Sequence, residues 1–137
     1  MKSARHKELQ TIIKNYYKGL GWLSIEEHSI KGKRIDVLAQ NINTKHVIAN
    51  EIELSPKHCL ENITIDLRVG CNEVIIICES RKTLEGIKQK ATANLGRNIL
   101  SKVSFRLISE FIPLINNIKQ KNTGEFNAEV NQENNLE

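Results

Sequence analysis

The sequence is poor in aromatic residues and cysteine, and it has no long apolar segment. Phenylalanine, tryptophan and tyrosine make up 4% of the 137 residues, so aliphatic side chains must fill the core. The longest purely apolar stretch, residues 74–78, is far shorter than the roughly 20 residues that a membrane-spanning helix needs. Residues 1–10 are charged and lack the apolar region of a signal peptide. We therefore expect a soluble, cytoplasmic domain without a membrane partner.

The cysteines and histidines match no common cofactor or disulfide pattern. Cys59, Cys71 and Cys78 are odd in number and form no Cys-x-x-Cys pair, which favours reduced thiols buried as small hydrophobes. A zinc site built from His46 or His58 with these cysteines would have an unusual ligand spacing. The sequence also lacks a glycine-rich phosphate loop, a Gly-x-Ser-x-Gly motif and a dinucleotide fingerprint, which argues against the enzyme classes that use them.

The charge of the chain is unevenly distributed. The formal net charge is +4, but residues 122–137 contain four glutamates and no lysine or arginine. That leaves −4 on this tail and +8 on residues 1–121. Such a basic domain favours a polyanionic partner, nucleic acid above all. The alternative is a surplus of solvated lysines, which would give the same net charge. The candidate phosphate-binding side chains are Lys82, Lys88, Lys90, Arg97 and Lys102.

Hydrophobic periodicity and turn residues predict the element order α-β-β-β-α-β-α-β. Helices are predicted over residues 4–20, 56–69 and 81–95, and strands over residues 22–28, 33–40, 46–54, 73–78 and 102–109. Ser3, Ser55 and Ser80 are the predicted N-caps, with Pro56 in the first turn of the second helix and Gly70 at its end. Short connections favour an antiparallel meander of the first three strands, and the apolar run of the fourth predicts a buried parallel strand.

The chain is predicted to form a single domain over residues 1–118. A short helix over residues 111–118 would close this domain. From residue 119 the sequence becomes polar, rich in asparagine and acidic, so residues 119–137 are expected to be a disordered tail.

Three acids stand inside predicted strands, where charges are uncommon because burying one without a partner is costly. Asp36 lies between Ile35 and Val37 in the second strand, and Glu51 and Glu53 lie in the third. Glu51 and Glu53 are two residues apart and would project from one face, roughly 6.5–7 Å apart. Clustered carboxylates repel one another, and a divalent cation such as Mg²⁺ relieves that repulsion. The alternative is that these acids point outward from a solvated strand face.

The element order and the acids together resemble the PD-(D/E)xK nuclease superfamily. Its common core is α-β-β-β-α-β, the order predicted over residues 4–79, with an acid on the second strand and (Asp/Glu)-x-Lys on the third. Here Asp36 is followed fifteen residues later by Glu51-Ile-Glu53. The layout is similar to that of archaeal Holliday-junction resolvases. The resemblance implies an α/β fold with a restriction-endonuclease-like αβββαβ core, an additional α-β and a mixed central sheet flanked by helices.

The resemblance also implies site residues, with one departure from the family pattern. Asp36, Glu51 and Glu53 would hold the metal, and Glu8 of the first helix would complete the ligand set, as a helix glutamate does in many members. The usual motif lysine is Glu53 here, as in a Glu-x-Glu variant. Lys57 is the first candidate to supply the missing ammonium, and Lys33 is the second.

The second helix carries polar residues near this site. Asn62 and Asp66 are four residues apart and share one helix face, and with Lys57 and Glu61 they could contact phosphate or order the metal ligands. A solvated helix face is the favoured interpretation of these charges.

These observations lead to three functional hypotheses. The first is a Mg²⁺- or Mn²⁺-dependent endonuclease that hydrolyses phosphodiester bonds of DNA, with RNA left open, and that works as a homodimer because the domain is small. The second is a catalytically inactive nucleic-acid-binding or accessory module on the same fold, supported by the missing lysine. The third is a protein-interaction domain whose basic face is incidental.

Overall fold

The computed structural model describes residues 3–112, which form an α/β domain with a five-stranded mixed sheet. Its elements are α1 (Ala4–Gly19), β1 (Leu23–Ile30), β2 (Lys33–Gln40), β3 (Val47–Ile52), α2 (Cys59–Arg68), β4 (Glu73–Cys78), α3 (Arg81–Asn94), α4 (Arg97–Leu100), β5 (Val103–Leu107) and a 3-10 helix (Ile108–Phe111). The predicted order is confirmed, while α4 and the 3-10 helix are additional. Of the predicted helix 111–118, Phe111 ends the 3-10 helix and residue 112 follows it, while residues 113–118 and the acidic tail lie outside the described residues.

The sheet has the strand order β1-β2-β3-β4-β5, so every strand pairs with its neighbours in sequence. β1, β2 and β3 form the predicted antiparallel meander. β3, β4 and β5 run parallel, with α2 connecting the first pair and α3 and α4 the second. The parallel arrangement places the C-terminal ends of β3, β4 and β5 at one edge of the sheet, next to the start of β2.

Helices cover both faces of the sheet, and each face has its own apolar core. Leu9, Ile13 and Tyr17 of α1 pack on one face, and α2 and α3 pack on the other. Ile63 of α2 and Ile87 of α3 are fully buried in this second core, together with Ala49 of β3 and Val74 and Ile76 of β4. β4 is buried on both faces, as its continuous apolar run predicts.

Two of the three predicted helix caps are confirmed. The side chains of Ser3 and Ser80 accept hydrogen bonds from the first-turn amides of α1 and α3. Ser55 is not a cap, because α2 begins at Cys59. The carbonyl of Pro56 accepts instead from Lys90 Nζ at 3.1 Å and from Cys59 Sγ at 3.3 Å, which holds this segment outside the helix.

The third strand is shorter than predicted. β3 ends at Ile52, two residues before the predicted end, and Leu54 is 71% exposed. Within residues 3–112, no helix is both long and apolar enough to cross a membrane.

A buried hydrogen bond ties α1 to the centre of the sheet. The hydroxyl of Tyr17 donates to Asn50 Oδ1 at 2.9 Å, and Asn50 Nδ2 donates to the carbonyl of Val37 at 3.1 Å. Asn50 is fully buried and Tyr17 nearly so, and this burial raises the pKa of the phenol. The bond therefore satisfies polar groups that water does not reach.

Replacing Tyr17 by phenylalanine leaves Asn50 Oδ1 buried without this donor. We expect Tyr17→Phe to lower the free energy of unfolding by about 1–3 kcal/mol. Tyr16→Phe is the matched control, because Tyr16 lies at the surface next to it, and we expect its effect to be within about 0.5 kcal/mol. Urea denaturation followed by circular dichroism measures both, and equal stability of the two variants would contradict the assignment.

Candidate functional site

The predicted acids meet where the β2–β3 ladder ends. The last backbone pair in this direction is Val37–Asn50. Beyond it, side chains take over: the amide of Ile52 donates to Asp36 Oδ2 at 2.8 Å, and the amide of Asp36 donates to Glu51 Oε1 at 3.4 Å. The two carboxylates thus replace part of the backbone ladder and are held next to each other.

Asp36 is 6% exposed and points toward α1. His6 Nε2 lies 3.3 Å from Asp36 Oδ1, and Gln10 Nε2 donates to the Asp36 carbonyl at 3.1 Å. The alternation of β2 breaks at this residue, because Ile35 packs beneath α2 while the next two residues, Asp36 and Val37, both face α1. This distortion brings Asp36 to the junction of the two faces of the sheet.

Glu51 points to the opposite face, where it shares a lysine with a second acid. Lys33 Nζ donates to Glu51 Oε2 and to Asp66 Oδ1, each at 2.8 Å. Glu51 is 3% exposed and Asp66 is 0% exposed. Lys33 begins β2 and Asp66 lies in the last turns of α2, so this ion cluster fastens α2 to the sheet.

One ammonium cannot neutralise two carboxylates, and the proton balance of the cluster reflects this. Burial, followed by the proximity of Asp66, raises the pKa of Glu51 to about 10. Burial alone would lower the pKa of Lys33, but the hydrogen bonds to Asp66 and Glu51 outweigh it and raise that pKa. These shifts favour a charged Lys33 and a protonated Glu51 at neutral pH.

The sequence predicted Glu53 within the third strand, but Glu53 lies directly after the end of β3. Its amide donates to the carbonyl of Ile77 at 3.0 Å, so the backbone still follows the sheet. Asn62 Nδ2 donates to Glu53 Oε2 at 2.8 Å, which places this carboxylate on the side of α2, as Glu51 is. Burial raises the pKa of Glu53, and the charge of Asp36 adds to that rise.

The candidate Glu8 is not part of this cluster. Its side chain is 65% exposed and forms an ion pair with Arg5 at 3.1 Å. His6, two residues earlier, is the α1 residue that reaches Asp36, because it falls on the buried stripe of the helix. The buried positions of α1 are spaced by three and four residues. This periodicity includes His6 and excludes Glu8, so it could have identified His6 from the sequence.

The lysine of the cluster is the second sequence candidate, Lys33. The first candidate, Lys57, is exposed in the turn before α2, and its amide donates to Ser55 Oγ at 3.4 Å.

The expectation of a solvated face for Asp66 is wrong. Asp66 is buried on the same face of α2 as Cys59 and Ile63.

No protein-family model, curated protein or solved structure matches this chain. The relation to the PD-(D/E)xK superfamily therefore stays a prediction from the motif and the element order. What the described residues establish is a buried acidic cluster with one lysine, at the edge where the C-terminal ends of three parallel strands meet. This is a common position for binding sites in α/β proteins.

The raised pKa of Glu51 gives the stability of the chain a specific pH dependence. Folding takes up a proton on Glu51 between its ordinary pKa of 4.5 and about 10, so this residue stabilises the fold less as the pH rises through that range. Glu51→Gln mimics the protonated acid. We expect the variant to gain stability relative to the original chain from pH 5 to pH 9.

Urea denaturation in the presence of a chelator, at pH 5, 7 and 9, measures this difference. Glu61→Gln is the matched control, because Glu61 is exposed on α2 and pairs with His58 at the surface. A stability difference between Glu51→Gln and the original chain that does not change with pH would contradict a protonated Glu51.

Proposed function

We propose that this chain is a metal-dependent endonuclease of the PD-(D/E)xK type, which hydrolyses phosphodiester bonds of DNA. The observation that carries the proposal is the convergence of Asp36, Glu51 and Lys33 at one end of the sheet. An acid from the second strand, an acid from the third strand and a lysine are the groups of the family motif. In this chain the lysine comes from the start of β2 instead of following Glu51 by two residues.

The charge of the acidic cluster favours a divalent cation. Asp36, Glu51, Glu53 and Asp66 offer four carboxyl groups around one ammonium, so the site can balance further positive charge. Asp36, Glu51 and Glu53 would hold Mg²⁺ or Mn²⁺, both of which accept carboxylate oxygens. When bound, such a cation stabilises the charge that builds on a phosphodiester and helps to generate the attacking hydroxide. Binding it requires Glu51 to give up its proton.

Lys33 acts as a positioning residue in this proposal. Its ammonium contacts Glu51 Oε2, which leaves Glu51 Oε1 directed toward the backbone of Asp36. The same contact favours the ionised form of Glu51, which is the form that a metal needs. Glu53 occupies the usual place of the lysine and is held by Asn62, so it is a metal ligand or a base for the attacking water.

The surface supports a polyanionic substrate. All five candidate phosphate-binding side chains are exposed: Lys82, Lys88, Lys90, Arg97 and Lys102. They lie on α3, on α4 and directly before β5, and they would add salt-dependent affinity without reading bases. A domain of this size encloses little duplex, so we propose that it works as a homodimer on DNA, with RNA as the other possible substrate.

One observation favours the second hypothesis, an inactive binding or accessory module on the same fold. Lys33 is engaged by two buried carboxylates, and Glu8 points away from the site. In an inactive module this ion cluster would serve stability alone. Metal dependence separates the two functions, because a pure binder holds DNA equally well in a chelator.

Removal of the Glu51 carboxylate tests the nuclease directly. We expect Glu51→Gln to lose at least about 10²-fold in cleavage rate while DNA binding is retained, because a metal ligand is removed without a change of shape. Glu61→Gln should cut at the rate of the original chain. The assay uses linear duplex, single-stranded and four-way-junction DNA with Mg²⁺, Mn²⁺ or EDTA. Absence of metal-dependent cutting by the folded chain on every substrate would contradict the nuclease, and retained DNA binding in EDTA would then favour the accessory module.

The assignment of the lysine has its own test. We expect Lys33→Met to reduce the cleavage rate by about 10²-fold and to shift the pH–rate profile to higher pH, because Glu51 then holds its proton more tightly. Lys57→Met should cut within about threefold of the original chain, as an exposed turn residue. Loss of activity in Lys57→Met with normal activity in Lys33→Met would reverse the assignment.

A further inference from the structure

Three donor atoms meet on the face of β2 that is turned away from Lys33. They are Nε2 of His6 from α1, a carboxylate oxygen of Glu27 from β1 and one of Asp36 from β2. All three lie within 4.8 Å of one another. His6 and Asp36 are buried and Glu27 is partly buried, so the group is sheltered yet reachable from the surface through Glu27.

The backbone of β1 and β2 turns these side chains toward α1. The ladder pairs Glu26 with Val37 and His28 with Ile35, and it omits the position between them. Glu27, which occupies that position in β1, has a φ of 52°, which is unusual for a residue with a side chain. Local distortion of both strands is therefore what brings a second carboxylate beside Asp36.

The surroundings hold the donors in place. Gln10 Nε2 donates both to Glu27 Oε2 and to the Asp36 carbonyl, so one amide orients two of the three residues. Arg34 Nε is the charged group that approaches Glu27 from the strand side, at 3.8 Å and largely exposed. Partners that hydrogen-bond the ligating residues are characteristic of metal sites.

The distance between His6 and Asp36 is that of two ligands on one ion. His6 Nε2 and Asp36 Oδ1 lie 3.3 Å apart, which is longer than the about 2.7–2.9 Å of a charge-assisted hydrogen bond. Two donors each about 2.1 Å from a tetrahedrally bound ion would lie about 3.4 Å apart. The spacing is therefore compatible with two ligands of one cation.

We propose that His6, Glu27 and Asp36 bind a divalent first-row transition cation, at a position separate from the Asp36–Glu51–Glu53 site of the proposed nuclease. One imidazole nitrogen with two carboxylates suits Mn²⁺ or Zn²⁺, whereas Mg²⁺ and Ca²⁺ prefer oxygen ligands alone. Asp36 is common to both positions, with Oδ1 directed toward His6 and Oδ2 toward the amide of Ile52. The inference goes beyond the nuclease proposal, because the ion would bind whether or not the chain cuts DNA.

Electron paramagnetic resonance tests the site with Mn²⁺ as the probe and the full chain as the sample. Excess Mg²⁺ is added to occupy the all-oxygen site. We expect one Mn²⁺ per chain to remain bound, with pulsed spectra that show the coupling of an imidazole nitrogen. Glu27→Gln should weaken this binding by at least about tenfold, since it removes one ligand of three. His6→Gln should abolish the nitrogen coupling.

Glu26→Gln is the matched control for Glu27→Gln. The two side chains are neighbours in β1 with similar exposure, 31% and 26%, and Glu26 pairs with Lys14 instead. The control should bind Mn²⁺ as the original chain does, and so should Glu51→Gln, which disables the proposed nuclease site. Magnesium-resistant Mn²⁺ binding that is absent, unaffected by Glu27→Gln, or lost equally in Glu51→Gln would overturn the proposal. Retained Mn²⁺ binding without DNA cleavage would overturn the nuclease alone.

Discussion

The fold and the site both depend on a single, partly buried ammonium. Lys33 lies between the carboxyl groups of Glu51 and Asp66, and both acids are almost completely removed from water. Without this lysine, two acids would be buried side by side on the sheet and α2, an arrangement that costs several kcal/mol per ionised group. The contact fixes where α2 packs against β2 and β3. It also opposes the rise in the pKa of Glu51 that burial and Asp66 cause, and so favours the ionised form that can hold a cation.

Asp36 links this cluster to the other face of the sheet. It accepts a hydrogen bond from the amide of Ile52 and approaches Glu51 through its own amide, while its second carboxylate oxygen faces His6 of α1. A regular strand would send these contacts to one side only. Because β2 is distorted at Asp36, one aspartate serves both the acidic cluster beneath α2 and the imidazole–carboxylate group beneath α1. Distorted strands next to clustered acids are common at binding sites, where local geometry is shaped by function.

The sequence predicted the architecture well because its periodic signals are strong. The apolar run of β4 and the serine caps of α1 and α3 each depend on neighbouring residues alone. The predicted cap of α2 is wrong, because the helix begins at Cys59. The carbonyl of Pro56 accepts a hydrogen bond from Lys90, a residue far away in sequence that local patterns do not reveal. The end of β3 was predicted two residues too late. The amide of Glu53 still donates to the carbonyl of Ile77 in β4, although Glu53 is outside the strand.

The candidate site was predicted in part. Asp36, Glu51 and Glu53 were recognisable as charges within strand patterns, and the first two proved to be buried neighbours. Lys57 was preferred to Lys33 because it is closer to Glu53 in sequence. Lys33 is two residues before Ile35, so both side chains lie on the face of β2 that packs against α2. Glu8 was chosen by family analogy, although the helix periodicity assigns the buried position to His6. The role of Glu27 was not predictable, because it depends on a backbone conformation that no local pattern indicates.

We propose that a divalent cation takes the place of the proton on Glu51. Calorimetric titration of Mg²⁺ into the metal-free chain near pH 7, repeated in buffers of different ionisation enthalpy, counts the protons released. We expect saturable binding with release of about one proton per Mg²⁺ in the original chain, and no such release in Glu51→Gln. Absence of Mg²⁺ binding, or binding with the same proton count in both proteins, would contradict it.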